Sequence, residues 1–130
     1  MTQSKVRRRP VILVADAHRK LRDELVLQLQ ASMAGWEVQA ASDGETLLLL
    51  EQRLVPEVVL MDVILPGDEG LKTIERLKQQ HPGVKVVVFS LRDSSHFQEQ
   101  AFKAGASAFI SKGRPFSEIL VALKAVLSLP

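Results

Sequence analysis

Apolar residues along the chain fall in two alternating rhythms. Val11 to Ala15 is a short, nearly continuous apolar run of the kind shown by a strand buried on both faces. Leu21, Leu25 and Leu29 then recur at helical spacing. Trp36 to Ala41 reads as a second strand, and Glu45 to Leu54 as a helix with Leu47, Leu50 and Leu54 on one side. Val58 to Met61 is a third strand, and Leu71, Ile74 and Leu77 mark a third helix that His81-Pro82-Gly83 stops. Val84 to Phe89, dominated by β-branched residues, reads as the fourth strand. Phe97, Ala101 and Ala104 pattern a fourth helix, and Gly105 stands where a C′ glycine ends one. Ala106 to Ser111 reads as a fifth strand. Ile119, Leu120, Leu123 and Leu127 form the last helix, with Ser117 beside Glu118 as its N-cap.

Five strand–helix units in succession predict one α/β domain, a (βα)5 doubly wound parallel sheet with helices on both faces and right-handed crossovers. No internal repeat, low-complexity tract or interdomain linker interrupts them. The four leucines from Leu47 to Leu50 read as a helix buried over a broad face rather than as an interaction stripe.

Ligands of open parallel α/β sheets bind beyond the carboxyl ends of the strands. The first strand ends at Asp16, the third at Asp62, the fourth at Ser90 and the fifth at Lys112, while the second ends at Ser42-Asp43, at a sheet edge. One rim therefore gathers two carboxylates, a hydroxyl and an ammonium. A carboxylate is a competent nucleophile toward a phosphoryl group and forms an acyl phosphate. Phosphoryl transfer asks the protein chiefly for positioning and for neutralisation of charge on the equatorial oxygens. Mg²⁺ suits one or two carboxylates completed by waters and a phosphoryl oxygen. Lys112 adds a fixed positive charge, and Ser90 a hydrogen bond to a phosphoryl oxygen.

Other α/β chemistries fit less well. A phosphate-binding glycine loop follows the first strand in nucleotide folds, but Ala15-Asp16-Ala17-His18 contains no glycine, and Gly67-Asp68-Glu69-Gly70 has neither P-loop nor dinucleotide spacing. Haloacid-type aspartyl phosphatases carry a second Asp two residues after the nucleophile, where this chain has Ile64. His18, His81 and His96 are scattered over different segments, which speaks against a zinc site.

Composition narrows the class further. The chain has 130 residues, 46% of them apolar and 25% charged, which is ordinary for a globular domain with a real core. It has no cysteine, hence no disulfide and no thiolate metal site. No apolar run is long enough to span a membrane, and the basic N-terminus lacks the apolar stretch of a secretory signal, so a cytoplasmic protein without membrane contact is expected. Lys5, Arg7, Arg8 and Arg9 supply much of the excess behind a net charge of +2. With no aromatic residues among them, they read as a solvated tail over residues 1–9, ahead of a domain over 10–130, rather than as a nucleic-acid contact.

Val58-Val59-Leu60-Met61-Asp62, followed by Leu65-Pro66-Gly67 and Gly70-Leu71, resembles the phosphoacceptor segment of response-regulator receiver domains of two-component systems. Val11 to Asp16 is similar to that family's first strand with its acidic end, Val86 to Ser90 to its fourth strand with a hydroxyl switch, and Ala104-Gly105-Ala106, Phe109 and Lys112 to its fifth-strand segment. The likeness runs from about Val11 onward. It implies a flavodoxin-like strand order 2-1-3-4-5 and a phosphoacceptor that assists its own phosphoryl transfer rather than an enzyme. Asp62 would take the phosphoryl group from a sensor histidine kinase, and Asp16, Asp62 and the backbone carbonyl of Ile64 would hold Mg²⁺. Ser90 would close on the phosphoryl group while Phe109 turns inward, altering a dimer or output surface.

His18 and the stretch through Ala104-Gly105-Ala106 resemble receivers joined to LuxR-type helix-turn-helix domains. A transcriptional regulator is thereby implied, touching DNA only through an output domain absent from this chain; a stand-alone receiver is equally compatible. One departure stands out. Receivers carry two adjacent acids after the first strand, and here the pair reads Asp16-Ala17. The rim then offers a dication one carboxylate fewer, which lowers metal affinity and leaves a second reading open, a receiver-like interaction module independent of phosphorylation. Gly113 after Lys112, where many receivers have proline, is a milder change.

Overall fold

A computed structural model describes residues 8–66 and 68–130. Five parallel strands, β1 (Val11–Ala15), β2 (Glu37–Ala41), β3 (Val58–Met61), β4 (Lys85–Ser90) and β5 (Ala108–Ser111), form one sheet in the order β2-β1-β3-β4-β5. Between and after them run α1 (Arg19–Ser32), α2 (Gly44–Leu54), α3 (Gly70–Gln80), α4 (Ser95–Ala104) and α5 (Phe116–Val126). This is the flavodoxin-like order that the resemblance implied.

Side chains of a strand alternate between faces, so each central strand feeds two cores. Val11, Leu13 and Ala15 of β1 join Leu47, Ile74, Leu77, Phe97 and Ala101 in one cluster, packed under α2, α3 and α4. Ile12 and Val14 join Leu25, Leu29, Ile119 and Leu123 in the other, under α1 and α5. Every residue of β1 and β3 is buried, which is why both read as unbroken apolar runs. Of the leucine run, Leu47 is buried and Leu48 and Leu50 pack against the core, while Leu49 is 61% exposed.

Register carries the rim residues to one place. Met61 lies beside Ala15 on one side and Val88 on the other. The ladder continues one step past the strands, with Asp62 N–H donating to the Ala15 carbonyl (2.9 Å) and Asp16 N–H to that of Ala41 (3.1 Å). Ser90 pairs with Ser111, and Lys112 N–H donates to the Ser90 carbonyl at 2.9 Å.

Some boundaries differ from the sequence expectation, each for a local reason. The fifth strand opens at Ala108 rather than Ala106, because the backbone after Gly105 is still closing α4: Gly105 takes φ +124° and Ala106 N–H returns to the Ala101 carbonyl at 3.0 Å. Ser117 is not the N-cap of the last helix. Pro115 holds that place with extended backbone and no capping side chain, putting Ser117 inside the first turn, while Glu118 pairs with Arg114 at 2.6 Å. A short antiparallel ladder of Ile64–Leu65 with Asp68–Glu69 follows Asp62, which periodicity did not signal. Of the expected basic tail, residues 1–7 lie outside the described residues. Arg8 is no free cation: its guanidinium donates to the carbonyls of Leu54 and Val55, closing the C-terminal end of α2. Among the described residues no helix is long and apolar enough to cross a membrane.

Candidate functional site

Asp16 and Asp62, each one residue past a central strand, are only 3% and 6% exposed. Lys112, one residue past β5, reaches back over the rim and bonds both. Its Nζ lies 2.8 Å from Asp16 Oδ2 and 2.5 Å from Asp62 Oδ2. The other carboxylate oxygens accept backbone N–H groups, Asp16 Oδ1 from His18 (2.8 Å) and Asp62 Oδ1 from Ile64 (3.0 Å). Arg22 of α1 donates to the Asp16 carbonyl at 2.9 Å and so ties the loop to its helix. Burial pushes the Lys112 ammonium down, but hydrogen bonds and charge from the two aspartates outweigh it and hold the group above its ordinary value. The arrangement presents buried carboxylate oxygens beside a fixed cation, with an open side bounded by His18, Leu21, Leu91 and Lys112.

Ser90 is fully buried at the end of β4, and its hydroxyl accepts the Arg92 N–H at 3.1 Å. Phe109, in the middle of β5, is half-buried and meets Phe97 of α4 edge to face, with ring centroids 6.2 Å apart. The Arg92 guanidinium lies over the other ring of that pair, 4.5 Å from the Phe97 centroid. The structure therefore brings Asp16, Asp62 and Lys112 into direct contact, sets Ser90 and Ile64 against them through the backbone, and holds Phe109 in a separate aromatic pair. Asp43, at the end of β2, is turned to another use: its side chain accepts the Thr46 N–H at 2.7 Å and caps α2.

A family model for the response regulator receiver domain matches residues 12–124. The chain belongs to this family. Transcriptional activator protein ExaE of Pseudomonas putida is 37% identical over 117 residues, which cover 90% of this chain and 55% of that protein. The chain thus spans about half the length of the curated relatives it matches. A LuxR-family two-component response regulator from Aurantimonas sp. SI85-9A1 superposes with a TM-score of 0.84 at 27% identity, over 93% of this chain and 86% of that one. A response regulator protein from Burkholderia pseudomallei, solved with a phosphorylated aspartic acid, a calcium ion and citrate, gives a TM-score of 0.82 at 27% identity, over 92% of this chain and 69% of that one.

Receiver domains in general bind Mg²⁺, and the donor set here can be weighed against that. The Asp16 and Asp62 carboxylates are hard oxygen donors of the kind Mg²⁺ takes with waters to complete its shell. They fit the ion, with less charge than a three-acid site would bring. Ala17 supplies no donor, and among the described residues no three His, Cys, Asp or Glu side chains converge. Formally the receiver rim carries two negative charges against the one positive charge of Lys112. Sequence reasoning missed Arg22, Arg92 and the capping of α1 by His18, whose Nδ1 accepts the Leu21 N–H at 3.4 Å. No periodicity or motif marks such residues, since each acts through a contact that only the folded loops create.

Proposed function

We propose that Asp62 is the phosphoacceptor of this receiver domain, taking its phosphoryl group from a sensor histidine kinase. The observation that carries this reading is the buried Asp62 carboxylate at the end of β3, sharing the Lys112 ammonium with Asp16. A carboxylate oxygen attacks phosphorus, a P–O bond forms, the P–N bond to the donor imidazole breaks, and the imidazole leaves with the bonding pair. Lys112 follows the new charge onto a phosphoryl oxygen, and the Ser90 hydroxyl donates to another. Asp16, Asp62 and the Ile64 carbonyl would hold Mg²⁺, which when bound neutralises charge on the phosphoryl oxygens. Contacts available only in the phosphorylated state then shift the population toward one in which Phe109 turns inward and a dimer or output surface changes.

In this reading residues 10–130 are the receiver and 1–9 a basic tail, and the protein works in the cytoplasm as part of a transcriptional regulator. DNA contact falls to an output domain outside the receiver. The names of ExaE and of the LuxR-family structure support that placement.

Phosphate-affinity electrophoresis after incubation with Mg²⁺ and a small acyl phosphate tests it. A retarded band is expected for the wild type and none for Asp62→Asn; a band that survives Asp62→Asn overturns the assignment. Ala17 favours a second reading, a phosphorylation-independent interaction module. No band for the wild type, with one appearing in Ala17→Asp, establishes that alternative instead.

A further inference from the structure

α2 and α3 pack against each other on one face of the sheet, and Gln80 of α3 hydrogen-bonds twice across their seam. Its amide donates to the Leu48 carbonyl at 3.1 Å and to Glu51 Oε1 at 2.8 Å. Glu51 is enclosed there at 1% exposure, and its second oxygen, Oε2, has no hydrogen-bond partner. We infer that Glu51 and Gln80 form a proton-operated latch. It holds the α2–α3 seam shut while Glu51 carries a proton and lets the seam part locally once that proton is lost to solvent.

An ionised carboxylate accepts at both oxygens, and a buried charge left without donors is costly, so ionisation obliges Oε2 to find one. The charged groups around the seam are largely committed elsewhere. Lys78 of α3 gives its ammonium to the carbonyls of Pro82 and Val84, at 2.9 and 2.8 Å, so its charge reaches Glu51 without a bond. Arg8 is spent on the Leu54 and Val55 carbonyls at the end of α2. β2 brings Glu37, an acid whose Oε2 already accepts the Gln39 amide at 2.9 Å, and β1 brings no ionisable side chain. On α2 itself Glu45 and Arg53 are exposed, and Arg76 and His81 complete the set along α3. Water is the remaining donor. It stands in the groove of about 570 Å³ outside the seam, whose wall includes Leu48, Gln52, Arg76 and Gln80. Admitting it to Oε2 means moving the Gln80 amide aside, which releases α3 from Leu48 at the same stroke. The sealed carboxyl sits at about 7 and a solvated one near 4.5, so the opening equilibrium grows by up to about tenfold per pH unit between those values and levels off above 7.

Amide hydrogen exchange of the intact chain, followed by NMR from pH 5 to 8 and corrected for the intrinsic exchange rate, tests the latch. Amides of residues 48–52 and 77–80 are expected to exchange through a local opening that low urea leaves unchanged. Their protection should fall by about tenfold per pH unit up to pH 7 and then level off. Glu51→Gln keeps the shape but cannot ionise, and is expected to hold that protection constant across the range. Gln80→Ala is expected to speed exchange of the same amides already at pH 5. Seam amides that exchange only together with those of β1 and β3 would overturn the inference, since the opening would then be global unfolding. An unchanged pH dependence in Glu51→Gln would overturn it too, and would assign the titration to His81. No phosphodonor enters the measurement, so its outcome stands apart from the electrophoresis test of Asp62.

Discussion

At the rim of the sheet, Asp16 and Asp62 are buried within 2.8 and 2.5 Å of the Lys112 ammonium, and each gives its second oxygen to a backbone N–H. In α2, Glu51 is 1% exposed and has been given far less. One of its oxygens accepts the Gln80 amide at 2.8 Å; the other, Oε2, has no hydrogen-bond partner. Burial pushes the Glu51 carboxyl up to about 7, and the hydrogen bond from Gln80 and the charge of Lys78 pull it back only in part. Where a cation and backbone donors are built in, a buried carboxylate keeps chemistry at the surface of the sheet. Where a lone amide is offered, burial wins and the group sits at the edge of neutrality.

Removing the cation is the strongest way to break this contrast. Lys112→Met leaves two neighbouring carboxylates almost enclosed and unneutralised, and truncating one side of a buried ion pair typically costs about 3 kcal/mol or more. Urea denaturation at pH 7 should show a loss of that size, with part of it recovered on adding Mg²⁺. A loss below about 1 kcal/mol would mean that the rim is hydrated like a surface pair and that the lysine does not set its character.

Glu51 makes the opposite prediction with a sign of its own. Folding raises its pKa from the ordinary 4.5 to about 7, so the folded chain retains a proton that the unfolded chain has released. Its contribution to stability is fully present below about pH 4.5 and is lost as pH rises through 7, by roughly 3 kcal/mol across the window. Denaturation midpoints measured from pH 4.5 to 8 should carry this slope. Glu51→Met should flatten it and leave the chain more stable at pH 8, by about 1 kcal/mol or more, because Gln80 Nε2 keeps the Leu48 carbonyl at 3.1 Å. An unchanged slope in Glu51→Met would assign the titration elsewhere.

The sequence spelled out one of these two regions and hid the other. Asp16, Asp62, Ser90 and Lys112 were legible because apolar runs in a parallel sheet stop where the strands leave the core, and the polar residues at that point mark the rim. That Lys112 would bond both acids was not legible, since it depends on register between strands fifty residues apart. Glu51 sits in the helical pattern of Glu45 to Leu54 as one more charged residue, and nothing in the pattern says that α3 covers it. Gly70 shows the same limit. The receiver resemblance included it, but its reason is spatial, since a Cβ there would overlap the backbone of Val63, one residue beyond Asp62. Backbone has no rotamer by which to give way, so Gly70→Ala should cost about 2 kcal/mol and weaken phosphorylation together. Normal phosphorylation at reduced stability would show that the strain is absorbed in α3 instead.

Asp43 is the smallest and most discriminating test, because by position it belongs with the rim and by contacts it does not. It lies two residues past β2, one further than Asp16 lies past β1, and its carboxylate turns onto the Thr46 N–H at 2.7 Å. That backbone hydrogen bond holds its pKa below the ordinary 3.8, so the stability it contributes is present at neutral pH and fades as pH falls below that value. Asp43→Ala should cost about 1 kcal/mol, the usual worth of an N-cap, and Asp43→Asn only a few tenths, since an amide oxygen caps equally well. Both variants should give the wild-type phosphorylated band. If Asp43→Asn instead kept the stability but lost the band, the edge strand would be feeding a third carboxylate to the site left short by Ala17. The division between carboxylates that cap and carboxylates that react would then have to be drawn elsewhere.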